Sequence, residues 1–71
     1  MNYERIFALI QKGLSVAAAL VEAGTVALPA IKAVQLLVTG AQVETITDEE
    51  LDATESQLDA MIAEFNLDIP E

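Results

Sequence analysis

The sequence predicts an all-α fold: an alanine-rich helical hairpin plus a C-terminal acidic amphipathic helix, three helices in a single domain over residues 1–71. Three observations carry this expectation. Apolar residues recur at helical spacing, and Gly24 and Gly40 punctuate the pattern. The run Thr47-Asp48-Glu49-Glu50 has the form of a helix capping box. The charges, finally, divide the chain in two. Residues 1–40 hold all three basic side chains (Arg5, Lys12, Lys32) and only two acids, Glu4 and Glu22. Residues 41–71 hold the other ten acids and no base. The front is near neutral and apolar; the back carries a local charge of −10.

The first helix is expected at about 3–23. Asn2 can cap it, with Glu4 and Arg5 in its first turn. At 100° per residue, Glu4, Arg5, Gln11, Lys12, Ser15 and Glu22 fall within an arc roughly 120° wide. The other two-thirds of the circumference carries Ile6, Phe7, Leu9, Ile10, Leu14, Val16, Leu20 and Val21. An ordinary surface helix has the reverse proportion, so this one expects neighbours on several sides. Gly24 suits the left-handed C-terminal position. Thr25 then offers a cap for a second helix at about 27–39, with Pro29 near its first turn, where a missing N–H does little harm. Its expected apolar face is Ile31, Val34, Leu37 and Val38, opposite Lys32, Gln35 and Thr39, and Gly40 is expected to end it. The short connection predicts an antiparallel hairpin. Alanines at 17, 18, 19, 23, 27, 30 and 33 allow close backbone approach.

Residues 40–46 read as a link, in which Val43, Thr45 and Ile46 permit a short strand. A third helix follows at about 48–65. Thr47 can accept the Glu50 N–H, the Glu50 side chain can reach back, and Ile46 and Leu51 occupy the positions of a hydrophobic staple. Asp48, Glu49 and Glu50 suit the positive end of the helix dipole. Leu51, Leu58 and Phe65 repeat every seven residues, with Met61 and Ile62 on the same face. That face is expected to close over the hairpin. The tail, 66–71, can anchor through Leu67 and Ile69.

Composition excludes much chemistry. There is no cysteine and no histidine, hence no disulfide, no thiolate site, and neither the commonest metal ligand nor the commonest general base. The carboxylates at 48, 49, 50, 52, 55 and 59 crowd a helix surface rather than a cleft that would push their pKa values apart. They lack the glycine turn and spaced oxygens of a calcium loop. We therefore expect no catalytic residue, no metal site and no cofactor. Direct nucleic-acid binding is disfavoured because three bases against twelve acids cannot form a phosphate-binding patch.

What remains is association. The chain is 54% apolar, against roughly 43% for a bundle helix with one buried face. Between Tyr3 and Thr39 the fraction rises to 24 of 37 residues. A monomeric hairpin cannot hide that surface, so a homo-oligomer is expected. The expected interface comprises Ile6, Phe7, Leu9, Ile10, Leu14 and Leu20 of the first helix. From the third come Leu51, Leu58, Met61, Ile62 and Phe65. A membrane is the alternative sink, as in a holin-like protein, but Glu22 interrupts the one span of adequate length at a cost of about 2.5–3.5 kcal/mol. Gly24, Thr25 and Pro29 break the same run. The apolar stretch is also too diffuse for a cleaved signal peptide.

The stretch Ile46-Thr47-Asp48-Glu49-Glu50-Leu51-Asp52-Ala53, with Leu58-Asp59-Ala60 beyond it, resembles the endings of small acidic helical accessory proteins of tailed bacteriophages. The resemblance is confined to the C-terminal third. It implies a virion component or a small phage-encoded effector, found in the virion or the host cytoplasm, that works by assembly rather than chemistry. Its partners would be other virion proteins or a basic host protein. Apart from the resemblance, the dense acidic helix itself offers another alternative: an acidic inhibitor that mimics a nucleic-acid backbone and blocks a host nucleic-acid-binding protein.

Overall fold

A computed structural model describes residues 2–69. Among them there are three helices and no strand: α1 (Tyr3–Glu22), α2 (Leu28–Val43) and α3 (Asp48–Phe65). The molecule is elongated, 34 × 17 × 16 Å. Helix α1 is the central element. It packs against both α2 and α3, while α2 and α3 barely approach each other directly.

The helix starts follow local chemistry. Asn2 Oδ1 accepts the Arg5 N–H at 3.1 Å, as expected of a cap. Thr47 Oγ1 accepts the Glu50 N–H at 3.2 Å and donates in turn to Glu50 Oε1 at 3.3 Å. The capping box thus closes through the two side chains rather than by Glu50 reaching back to the backbone. Ile46 packs on the cluster that contains buried Leu51, which completes the staple.

The start of α2 differs from expectation. Ala27, not Thr25, is its N-cap, with no side-chain cap bond, and Pro29 lies in the first turn. Thr25 is already engaged in ending α1: its N–H bonds Leu20 O at 2.9 Å, and the Gly24 N–H bonds Val21 O at 3.0 Å across a left-handed Gly24 with φ +74°. Pro29 compensates in part, since it removes one of the N–H groups a missing cap leaves unpaired.

The end of α2 is a second correction. The helix does not stop at Gly40 but continues to Val43, and residues 43–46 form no strand. Gly40 serves close packing instead. A Cβ there would lie 2.2 Å from Ile46 Cγ1. The reversal is made by Glu44, held left-handed at φ 55°, with the Thr45 N–H bonded to Gly40 O at 3.1 Å. Asn66 repeats the device after α3, where φ is 52° and the Leu67 N–H bonds Ile62 O at 3.0 Å.

The apolar face of α2 is rotated from the expected one. Ala30, Ala33, Leu37 and Gly40 are buried, Val34 is half-buried, and Ile31 and Val38 face solvent. Small side chains face α1 because they let the backbones come close, which brings more atoms into contact than the bulkier stripe could. A Cβ on Gly13 would lie 2.6 Å from Val34 Cγ2.

Two clusters fill the interior. One joins Val16, Ala17 and Leu20 to Ala27, Ala30, Ala33, Leu58 and Met61, with Leu67 and Ile69 of the tail packed on it. The other joins Ile6 and Leu9 to Leu37 and Leu51. The tail anchors as expected through residue 69; Pro70 and Glu71 lie outside the described residues.

Candidate interaction surface

Two heptad-spaced charges on α1 meet two heptad-spaced charges on α3. Arg5 pairs with Asp52 and Lys12 with Asp59. Both pairs join residues 47 positions apart, so α1 and α3 run parallel in constant register. The Arg5 pKa is raised further, chiefly by its hydrogen bond to Asp52; desolvation opposes this, while the charges of Asp52, Glu55 and Asp48 add to it. The charge split in the sequence is therefore partly closed in the fold. Two of the three bases serve α3, and their spacing was visible at 5/12 and 52/59 had it been matched across the chain.

The residues expected at an interface separate into three groups. Ile6, Leu9, Leu20, Leu51, Leu58 and Met61 are buried inside this one chain. Ile10 and Ile62 are half-buried against its two clusters. Phe7, Leu14 and Phe65 remain exposed, at 59%, 55% and 42%. Phe65 follows the heptad of Leu51 and Leu58, but α3 ends there and the chain turns away at Asn66.

Sequence reasoning missed part of the exposed surface. Val21 is exposed on α1, as are Leu28, Ile31, Leu36, Val38 and Val43 on α2. Phe7, Leu14 and Val21 recur every seven residues and so form one stripe along α1. Arg5 and Lys12 lie about 160–180° around the helix from Leu14, which places the stripe on the side away from α3. Ile31 and Val38 form the matching stripe on α2. Tyr3 extends the α1 stripe: its ring stacks on Phe7 with centroids 6.4 Å apart. The Tyr3 hydroxyl donates to Glu44 Oε1 at 2.9 Å. That hydrogen bond is the main cause of a raised Tyr3 pKa, with desolvation and the Glu44 charge adding to it.

The opposite side of the molecule holds a shallow groove of about 460 Å³ between the start of α2 and the end of α3, lined by Val26, Pro29, Gln57, Met61 and Phe65 among others. Another groove, of about 500 Å³, runs over the Lys12–Asp59 pair. Lys12 and Asp59 form an ion pair there, and Ser15 lines the same groove. Among the described residues, no three His, Cys, Asp or Glu side chains are placed to hold a metal ion. No helix among them is long and apolar enough to cross a membrane. Comparisons with protein-family models, with curated proteins and with solved structures found no match.

Proposed function

We propose that this protein is a non-catalytic assembly component that self-associates through the exposed apolar side of its α1–α2 hairpin and presents α3 outward. The observation that carries the reading is the residue of apolar surface after folding. Phe7, Leu14, Val21, Ile31 and Val38 stay in water although the interior is closed and no buried side-chain polar atom among the described residues lacks a partner. Scattered exposed leucines are ordinary, whereas stripes in register on adjacent helices mark interaction sites. The resemblance of the C-terminal third to phage accessory proteins supports a place in a virion. The exposed acids of α3, such as Glu49 and Glu64, favour a second reading, contact with a basic partner, for which a salt-sensitive complex would be the mark. Sedimentation velocity at micromolar concentration tests the first reading. A defined oligomer is expected; a stable helical monomer overturns it.

A further inference from the structure

We infer that the partner on this face is a second copy of the chain, related by a two-fold axis that passes level with Leu14. The inference rests on the self-association proposed above and adds its geometry. On α1 the stripe Phe7, Leu14, Val21 is centred on Leu14. On α2 the stripe Ile31, Val38 is centred beside Val34. The two centres lie at one level, because Gly13 and Val34 touch across the antiparallel hairpin. A two-fold axis in the plane of the face, perpendicular to the helices, therefore maps both stripes onto themselves. Leu14 meets Leu14 of the other copy, Phe7 meets Val21, and Ile31 meets Val38. An isologous contact needs this self-complementarity, and each contact off the axis then occurs twice. The result is a four-helix layer with antiparallel like helices and an α3 on each outer side.

Charge selects the same occupant. Each chain carries −9 at pH 7, so two copies repel wherever their acids face each other. The hairpin is the low-charge part of the molecule, and no charged residue lies on the stripes themselves. Pairing there puts both α3 helices on opposite outsides, where their mutual repulsion is smallest and most screened. An anionic membrane would meet the same net charge without that geometric escape. Size fits as well. A long side of 34 × 17 Å between Cα extremes presents on the order of 600 Å² in projection before side chains are added, the scale of a standard interface at roughly 800 Å² per partner.

Because the chain has no cysteine, disulfide trapping tests the axis directly. Under mild oxidation Leu14→Cys should form a covalent dimer in high yield, since only a residue on the axis meets its own copy. Val21→Cys alone should trap poorly, and an equimolar mixture of Phe7→Cys with Val21→Cys should give the mixed disulfide. Leu36→Cys, on the α2 side that faces α3, is the control. Leu14→Glu should weaken the dimer roughly 30-fold or more, as loss of a central anchor does, while circular dichroism stays helical. If the natural chain is oligomeric but Leu14→Cys traps no better than Leu36→Cys, self-association stands and this axis is overturned. A monomeric natural chain overturns both. Flotation of that monomer with phosphatidylglycerol vesicles would identify a lipid surface as the occupant instead.

Discussion

The seam between α1 and α2 is rich in glycine and alanine, with Val34 and Leu37 among them; the seam between α1 and α3 is filled by larger apolar side chains, with an ion pair at each of two heptad positions. The first seam is close and almost free of charge. Gly13 has no free space for a Cβ, and Ala17, Ala27, Ala30 and Ala33 are buried. The second seam is wider, filled by Leu51, Leu58 and Met61 and flanked by Arg5–Asp52 and Lys12–Asp59. Close backbones specify a hairpin by exclusion, since larger side chains do not fit. A wide seam specifies its partner by shape and by the register of its charges. The two seams should therefore fail under opposite kinds of substitution.

The largest effect is expected from removing volume at the wide seam. Leu58 is fully buried, and Leu58→Ala should cost about 2–5 kcal/mol through lost transfer energy and a residual cavity. For a domain this small that is a large share of the total stability. A urea titration should show the midpoint fall steeply, or the folded baseline vanish. Adding volume at the close seam comes next. Ala30 is also fully buried, and Ala30→Leu should destabilise by about 1–3 kcal/mol through overpacking. If Ala30→Leu is neutral, the hairpin seam is looser than its glycine contacts require, and the contrast collapses.

The ends of α1 and the start of α3 were legible in the sequence, whereas both ends of α2, the Ala27 start and the Glu44 reversal, were not. Asn2, Gly24 and the Thr47 box act through bonds to residues within a few positions, so their chemistry is local. Helix existence was equally legible, because it rests on periodicity. The face of α2 was not. Ile31 and Val38 are more hydrophobic than Ala30 and Ala33, yet the chain buries the alanines, because the gain comes from backbone approach and depends on Gly13 across the seam. Gly40 misled for the same reason: a glycine that accommodates Ile46 looks in sequence like one that ends a helix. The candidate site was half legible. Phe7 and Leu14 were named and stay exposed, Phe65 stays exposed on the opposite side of the molecule, and Ile6, Leu9 and Leu58 could not be separated from them until the core had taken its share. Only the fold decides which apolar residues are left over.

Smaller effects sharpen the comparison from the charged side. Gly24 is left-handed with open space around it, so Gly24→Ala should cost about 1 kcal/mol, from backbone conformation rather than packing. The Lys12–Asp59 pair is partly exposed. A double-mutant cycle with Lys12→Ala and Asp59→Ala should return a coupling below about 1 kcal/mol, shrinking with added salt. A larger coupling would mean that the pair contributes stability and not register alone.

The last expectation concerns the far end of the close seam, where Tyr3 ties α1 to the Glu44 reversal. Tyr3 is the only tyrosine and there is no tryptophan, so phenol ionisation can be followed in ultraviolet absorbance without interference. The hydrogen bond to Glu44 favours the neutral phenol and raises its pKa above the ordinary value of 10.0. A group raised on folding contributes stability that is fully present below its unfolded pKa and is lost as pH climbs through the folded one. The phenol of the native chain should therefore ionise at a higher pH than that of the urea-unfolded chain, and this contact's contribution to stability should be lost in that alkaline window. Glu44→Gln removes the charge while leaving an amide to accept the bond, and should lower the native midpoint part of the way. Glu44→Gly should lower it fully while relieving the left-handed backbone at φ 55°. Equal midpoints in the native and unfolded chains would show that the contact does not hold in solution, leaving the close seam to rest on its small residues alone.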